Sequence, residues 1–154
     1  MQSARISTNI WCNDAWVRFE GNRNRMTGFW IYILVMVLVI PLSMIGFGAY
    51  LKKSGPAKIN PVFGYRTSRS MKNQETWAFA QRYCGSLWKS RGMILAPISA
   101  GSMLLFLNKS EDAIGMAGMG IVFVQIGVMI WAIGRTEAEL KKHFDPEGRR
   151  RAPR

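Results

Sequence analysis

At 154 residues, with 21 Lys and Arg against 9 Asp and Glu, the chain carries a formal net charge of +12. One histidine and two cysteines, with no CxxC spacing, offer no metal or redox motif. Mean hydropathy lies close to zero, as in a soluble protein, because strongly apolar and strongly basic segments are being averaged.

Residues 1–27 read as a polar, irregular extracytoplasmic leader in which Trp11, Trp16 and Phe19 are candidate interface anchors. Met26 stands just before the first apolar run and offers an alternative start, which would make this leader dispensable. Residues 28–50 then run 23 residues without a charge. At about 1.5 Å per residue, such a helix covers roughly 35 Å, enough to cross a bilayer core of about 30 Å. It is longer than the roughly 7–15 residues of a signal-peptide core, and no A-x-A site follows, so it is expected to stay in the mature chain. Pro41 frees a carbonyl one turn earlier, which in lipid needs a donor from a neighbouring helix, a water or a hydroxyl. A packed kink is the expectation, ahead of a hinge or a ligand-facing opening. Pro97 falls under the same argument.

Residues 92–108 form a second uncharged run of 17 residues, and 113–134 a third of 22. In the third, Gly120, Gly127 and Gly134 recur every seven residues and return to nearly one helical face. Such a groove suits close helix packing, within the chain or between copies. Gln125, the amide in this stretch, is expected to hydrogen-bond across a helix pair. The tail, residues 135–154, continues the helix through the i, i+4 pairs Glu137–Lys141 and Glu139–His143. Pro146 and Gly148 then stop it, leaving a disordered basic end. His143 has no neighbouring ligands and is not read as a metal site.

The distribution of basic residues predicts topology. Residues 51–91 carry nine Lys and Arg and the tail seven, against four before the first run and one between the second and third. With three spans, sixteen basic residues share one face, which the positive-inside rule makes cytoplasmic. The N-terminus is then outside and the C-terminus inside, in the bacterial inner (plasma) membrane. Basic residues crowding the ends of spans suit anionic lipids of the cytoplasmic leaflet better than nucleic acid. Cys12 and Cys84 fall on opposite sides of the first span and cannot pair.

The loop at 51–91 holds the most specific pattern. Asn60-Pro61 and Gly64 are turn residues that return Tyr65, Arg66 and Thr67 to the surface. Ser70 can cap the following helix, with Asn73 a rival cap and Glu75 placed in its first turn. Trp77, Gln81, Cys84 and Trp88 recur at i, i+4, i+7 and i+11, with Ala80 and Leu87 beside them, while Arg82 and Lys89 share another face. This periodicity predicts an amphipathic helix lying on the inner membrane surface, Trp rings at headgroup depth. The expected fold is therefore all-α and polytopic: three transmembrane helices and a cytoplasmic amphipathic helix between the first and second.

The pattern N-x3-G-Y-R-T-x2-S, followed by E-x-W-x4-R-x2-G-x2-W and a hydrophobic helix, resembles the C-terminal membrane module of the SdpI family over residues 28–134. The resemblance implies recurrent positions at Asn60, Gly64, Arg66, Thr67, Ser70, Glu75, Trp77, Arg82, Gly85 and Trp88. This chain departs from the family with Ser68 where a proline often stands and with the order Asn60-Pro61 reversed. It also lacks the additional N-terminal membrane half of larger members. An immunity role is what the resemblance implies: resistance to a peptide toxin, with a cytoplasmic regulator as a second partner.

Two functions are carried forward. One is an immunity or sensor protein that binds a peptide or partner at the membrane; the other is a lipid-headgroup-binding or scaffold subunit. An enzyme is disfavoured because the spans hold no charged residue and no nucleophile–base pairing surrounds the single His. No cofactor is expected. Arg66 is the expected centre, supported by Glu75 and Trp77. Either it pairs with Glu75 and pins the turn, which the turn-building residues Gly64 and Thr67 favour, or it holds a lipid phosphate or a partner's acid.

Overall fold

The computed structural model describes residues 4–54, 58–60 and 62–151, the side chains of residues 4–24 and 54 excepted. Three helices follow one another: α1 (Ala4–Ser54), α2 (Gln74–Leu104) and α3 (Glu111–His143). The all-α class is as expected. The proposed anchors Trp11, Trp16 and Phe19, together with Cys12, lie outside the described side chains.

Two boundaries differ from the sequence reading. The leader was expected to be irregular, yet α1 is helical from Ala4. The surface helix and the second span were expected to be separate, yet α2 is one helix of 31 residues, about 46 Å long. No proline lies between Trp88 and Met93, and the helix runs through Gly85 and Gly92 without a break. The helix ends at Leu104 rather than residue 108, and residues 105–108 form a turn.

Helix starts follow local chemistry. Asn73, not Ser70, caps α2: its Oδ1 accepts from the amides of Glu75 (3.0 Å) and Thr76 (2.9 Å), and Thr76 Oγ1 accepts from Asn73 N (3.2 Å). Ser110 caps α3, with Glu111 and Asp112 in the first turn and Lys141, Lys142 and His143 in the last.

The α1–α2 contact is backbone against backbone. A Cβ on Gly48 would collide with Lys89 N, one on Gly85 would lie 2.7 Å from Lys52 N, and one on Gly92 would lie 2.8 Å from Pro41 O. These contacts run antiparallel. Further along, Trp30 Nε1 donates to Met103 O (2.9 Å) within an apolar cluster that includes Ile114. On α3 it is Gly118, against Ile33, that meets α1. The expected stripe of Gly120, Gly127 and Gly134 does not pack within the chain, since a Cβ at any of them meets nothing within 4 Å. Neighbouring helices approach α3 on a different face. Gln125 bonds across helices as expected, donating to Val37 O (3.1 Å) and Ser99 Oγ (2.8 Å).

Within α1 and α3, Arg25–Lys53 and Glu111–His143 are long and apolar enough to cross a membrane. Only 22% and 17% of their most apolar windows are buried within the chain, the reverse of what a soluble core helix shows. Val35, Val39 and Leu42 on α1 and Met116, Phe123 and Ile130 on α3 all face outward. An apolar collar of that extent suits lipid rather than water.

Candidate functional site

The motif loop folds onto one end of the bundle. Asn60 Oδ1 accepts from Val62 N (3.0 Å) and Phe63 N (2.7 Å), making the turn that its side chain suits. Gly64 has φ +114°, and a Cβ there would lie 2.8 Å from Gln81 Oε1, so both backbone and space require glycine. Gln81 then holds Tyr65 as a neighbouring strand would. Its Oε1 accepts from Tyr65 N (2.8 Å) and its Nε2 donates to Tyr65 O (2.9 Å). The Tyr65 hydroxyl donates to Ile133 O on α3 (3.1 Å). Burial, and then the nearby Glu137 carboxylate, push this phenol upward from its ordinary pKa.

Thr67 and Ser70 close the next turn reciprocally. Ser70 Oγ accepts from Thr67 N (2.8 Å), and Thr67 Oγ1 accepts from Ser70 N (3.1 Å). The Thr67 hydroxyl donates onward to Glu137 Oε2 (3.1 Å), while Arg69 Nε lies 3.2 Å from Glu137 Oε1. The side chains of this ion pair are only 23% and 29% exposed, so it is less screened than a surface pair.

This corrects the expected Arg66–Glu75 pair. Arg66 is exposed and makes a long 3.5 Å contact to Val62 O, whereas Glu75 lies 3.6 Å from Arg150 Nη1. The acid that pins the loop comes from α3, not from the loop itself. Glu137 therefore turns towards the loop, away from its expected helical partner Lys141. Glu139 makes the local contacts instead, with Lys142 (2.7 Å) and His143 (3.7 Å). The Lys142 hydrogen bond is the main cause holding its carboxyl below the usual range.

The first half of α2 faces inward rather than onto a membrane surface. Trp77, Ala80 and Cys84 are buried, the last two with Tyr65, Leu140 and Phe144. Burial pushes the Cys84 thiol up to about 11, against a weaker opposing hydrogen bond to Thr136. The tail is also ordered to Arg151, contrary to expectation: Asp145 N donates to Arg149 O and Arg151 N to His143 O, both at 2.9 Å. Phe144 plugs the cluster, and Asn73 Nδ2 donates to Gly148 O (2.6 Å). Arg82 lines a shallow groove with Glu75, Phe79, Tyr83 and Arg150.

Between the end of α1, the motif loop, α2 and α3 lies a cleft of about 560 Å³, lined by Phe47, Leu51, Phe63, Arg66, Trp88 and Ile133 among others. Phe63 reaches it by packing on Phe47 and Tyr50, with ring centroids 5.9 and 5.6 Å apart. Of the sequence-derived residues, Asn60, Gly64, Tyr65, Thr67 and Ser70 build the turns, Trp77 and Gly85 the packing, and Arg66 and Trp88 line the cleft. Sequence reasoning missed Arg69, Thr76, the clamping role of Gln81 and the reach of Glu137 to the loop. The one available signal was an amide on an otherwise apolar helix face.

A model of the SdpI/YfhL protein family matches residues 57–135, just over half of the chain, including the motif loop and all of α2. Among curated proteins, "Uncharacterized protein YfhL" of Bacillus subtilis (strain 168) is 42% identical over 67 residues, covering 42% of this chain and 61% of that protein. The chain thus spans less than two thirds of that relative's length. No solved structure matches. With its two long apolar helices and its motif loop, the chain belongs to the SdpI/YfhL protein family and is a membrane protein of that family.

Proposed function

We propose that this protein is a non-catalytic, three-span protein of the bacterial inner membrane that binds a peptide, lipid or protein partner at the cytoplasmic boundary, as SdpI-type immunity and signalling proteins do. The observation carrying this reading is how the motif distributes its polar groups. Asn60, Thr67, Ser70 and Gln81 are taken up by internal hydrogen bonds. Arg66 stays exposed at the rim of an apolar cleft, with no acid partner among the described residues.

The placement in the membrane draws on the same geometry. Lys52, Lys53, Lys89, Arg91 and Arg135 gather near the end that bears the motif, with Arg91 and Arg135 both over the Trp131 ring (5.0 and 6.0 Å). Cations and tryptophan at one level mark a membrane boundary. The apolar half of α2 is short, and Met93, Ile94 and Ile98 on it present exposed apolar surface.

Two measurements test the reading. A reporter active only in the cytoplasm is expected to work after Arg154 and fail within residues 108–112; the opposite pattern inverts the topology. Cells expressing the gene are expected to survive a cognate toxin better than cells lacking it. Equal survival removes the immunity role.

A further inference from the structure

We infer that the cleft beside Arg66 is a site for one anionic phospholipid of the cytoplasmic leaflet, its phosphate on the Arg66 guanidinium and an acyl chain along the apolar wall. This inference rests on the membrane placement proposed above and adds the class of ligand.

Size and chemistry agree with that occupant. A volume of about 560 Å³ falls within the roughly 300–1,000 Å³ of small-molecule pockets, room for a headgroup phosphate and part of one acyl chain. Phe47, Leu51, Phe63, Trp88 and Ile133 make the wall apolar, and Phe47, Phe63 and Val62 continue it outward as exposed apolar surface. The cleft therefore opens onto the same side of α1 that faces lipid. Polar recognition falls mainly to Arg66. The Tyr65 hydroxyl is occupied by Ile133 O and the Thr67 hydroxyl by Glu137, whereas the buried Trp88 Nε1 on the lining has no partner among the described residues and remains a second donor.

Arg66 spends one long contact on Val62 O and keeps the rest of its planar fork for a ligand. A phosphate matches that fork in a bidentate fashion. Among the described residues the lining holds no carboxylate to receive an ethanolamine ammonium, and Lys52 and Lys53 follow the lining residue Leu51 on α1. Both facts favour a headgroup with net negative charge.

The same bookkeeping disfavours a peptide here. A peptide strand needs free backbone donors and acceptors. Tyr65 N and O are both held by Gln81, and Thr67 N by Ser70.

Native mass spectrometry of the purified full chain in detergent, titrated with phosphatidylglycerol and with phosphatidylcholine of the same acyl chains, tests the proposal. Phosphatidylglycerol is expected to bind more tightly. Arg66→Gln is expected to weaken it about tenfold, Arg66→Lys less, and Lys109→Gln less than about twofold. Because Arg66 makes only one long contact, these variants should unfold at the wild-type temperature, which thermal melts check. Equal binding of the two lipids, or no loss in a folded Arg66→Gln protein, overturns the inference. So does glycerol 1-phosphate binding as tightly as the lipid, since the apolar wall would then be unused. Arg66-dependent binding of a hydrophobic peptide without lipid discrimination would assign the cleft to a peptide instead. These readouts do not depend on reporter topology or toxin survival, so this inference can fail while the proposed function stands.

Discussion

The Gln125 side chain donates to the Val37 carbonyl at 3.1 Å, and that carbonyl is the one Pro41 leaves without a helical donor four residues on. One amide on α3 thus repairs the gap made by a proline on α1, and its second bond, to Ser99 Oγ at 2.8 Å, ties in α2. All three groups are buried.

Replacing Gln125 with Leu is expected to lower stability by about 1–2 kcal/mol, the scale of hydrogen bonds between membrane helices. Thermal unfolding in detergent measures it. An unchanged midpoint would mean that another donor reaches the Val37 carbonyl.

Two glycine substitutions should behave oppositely. Gly92→Leu places a side chain against the Pro41 carbonyl and is expected to destabilise the bundle by about 1–3 kcal/mol or more. Gly127→Leu points into open space and should leave the monomer's melting unchanged. Size-exclusion chromatography with light scattering then reads the remaining role of the stripe. A wild-type oligomer that Gly127→Leu dissociates places this face between copies. A monomer in both cases leaves it facing lipid.

The ion pair that fastens the motif loop is Arg69–Glu137. Glu137→Gln leaves a half-buried Arg69 with a weaker acceptor and is expected to cost about 1–3 kcal/mol. Limited proteolysis within residues 58–73 should accelerate accordingly. Exchanging the charges (Arg69→Glu with Glu137→Arg) should recover part of the loss, whereas Glu75→Arg, which loses an exposed ion pair and a helix-start charge, should cost less than Glu137→Gln, at most about 1 kcal/mol. Faster proteolysis in Glu75→Arg than in Glu137→Gln would contradict this assignment.

Cys84 is expected to be a slow nucleophile. Its thiol is 1% exposed and pushed up to about 11, so at pH 8 it stays protonated in the folded chain. Since the folded value lies above the ordinary 9.0, its contribution to stability is present below about pH 9 and is lost as pH rises towards 11. In a Cys12→Ser background, maleimide labelling should be slow natively and fast in denaturant. Equal rates would show that the cluster around Phe144 opens freely.

Much of the architecture was legible in the sequence because it rests on local or compositional physics. Uncharged runs of span length, a proline that needs a donor elsewhere, an amide in an apolar stretch and the turn residues Asn60 and Gly64 all act through nearby backbone or through solvent. They pointed to apolar helices, a cross-helix bond at Gln125 and a folded motif loop. The tertiary structure decided which groups meet across the chain. Glu137 had a plausible helical partner four residues away, yet it turns to Thr67 and Arg69 because α3 returns beside the loop. The seven-residue glycine repeat on α3 looked like the packing face. The contact fell to Gly48, Gly85 and Gly92 because the backbones of α1 and α2 approach closely there. Periodicity assigns residues to one face of a helix, but only the position of the neighbouring helix decides whether that face meets protein or lipid.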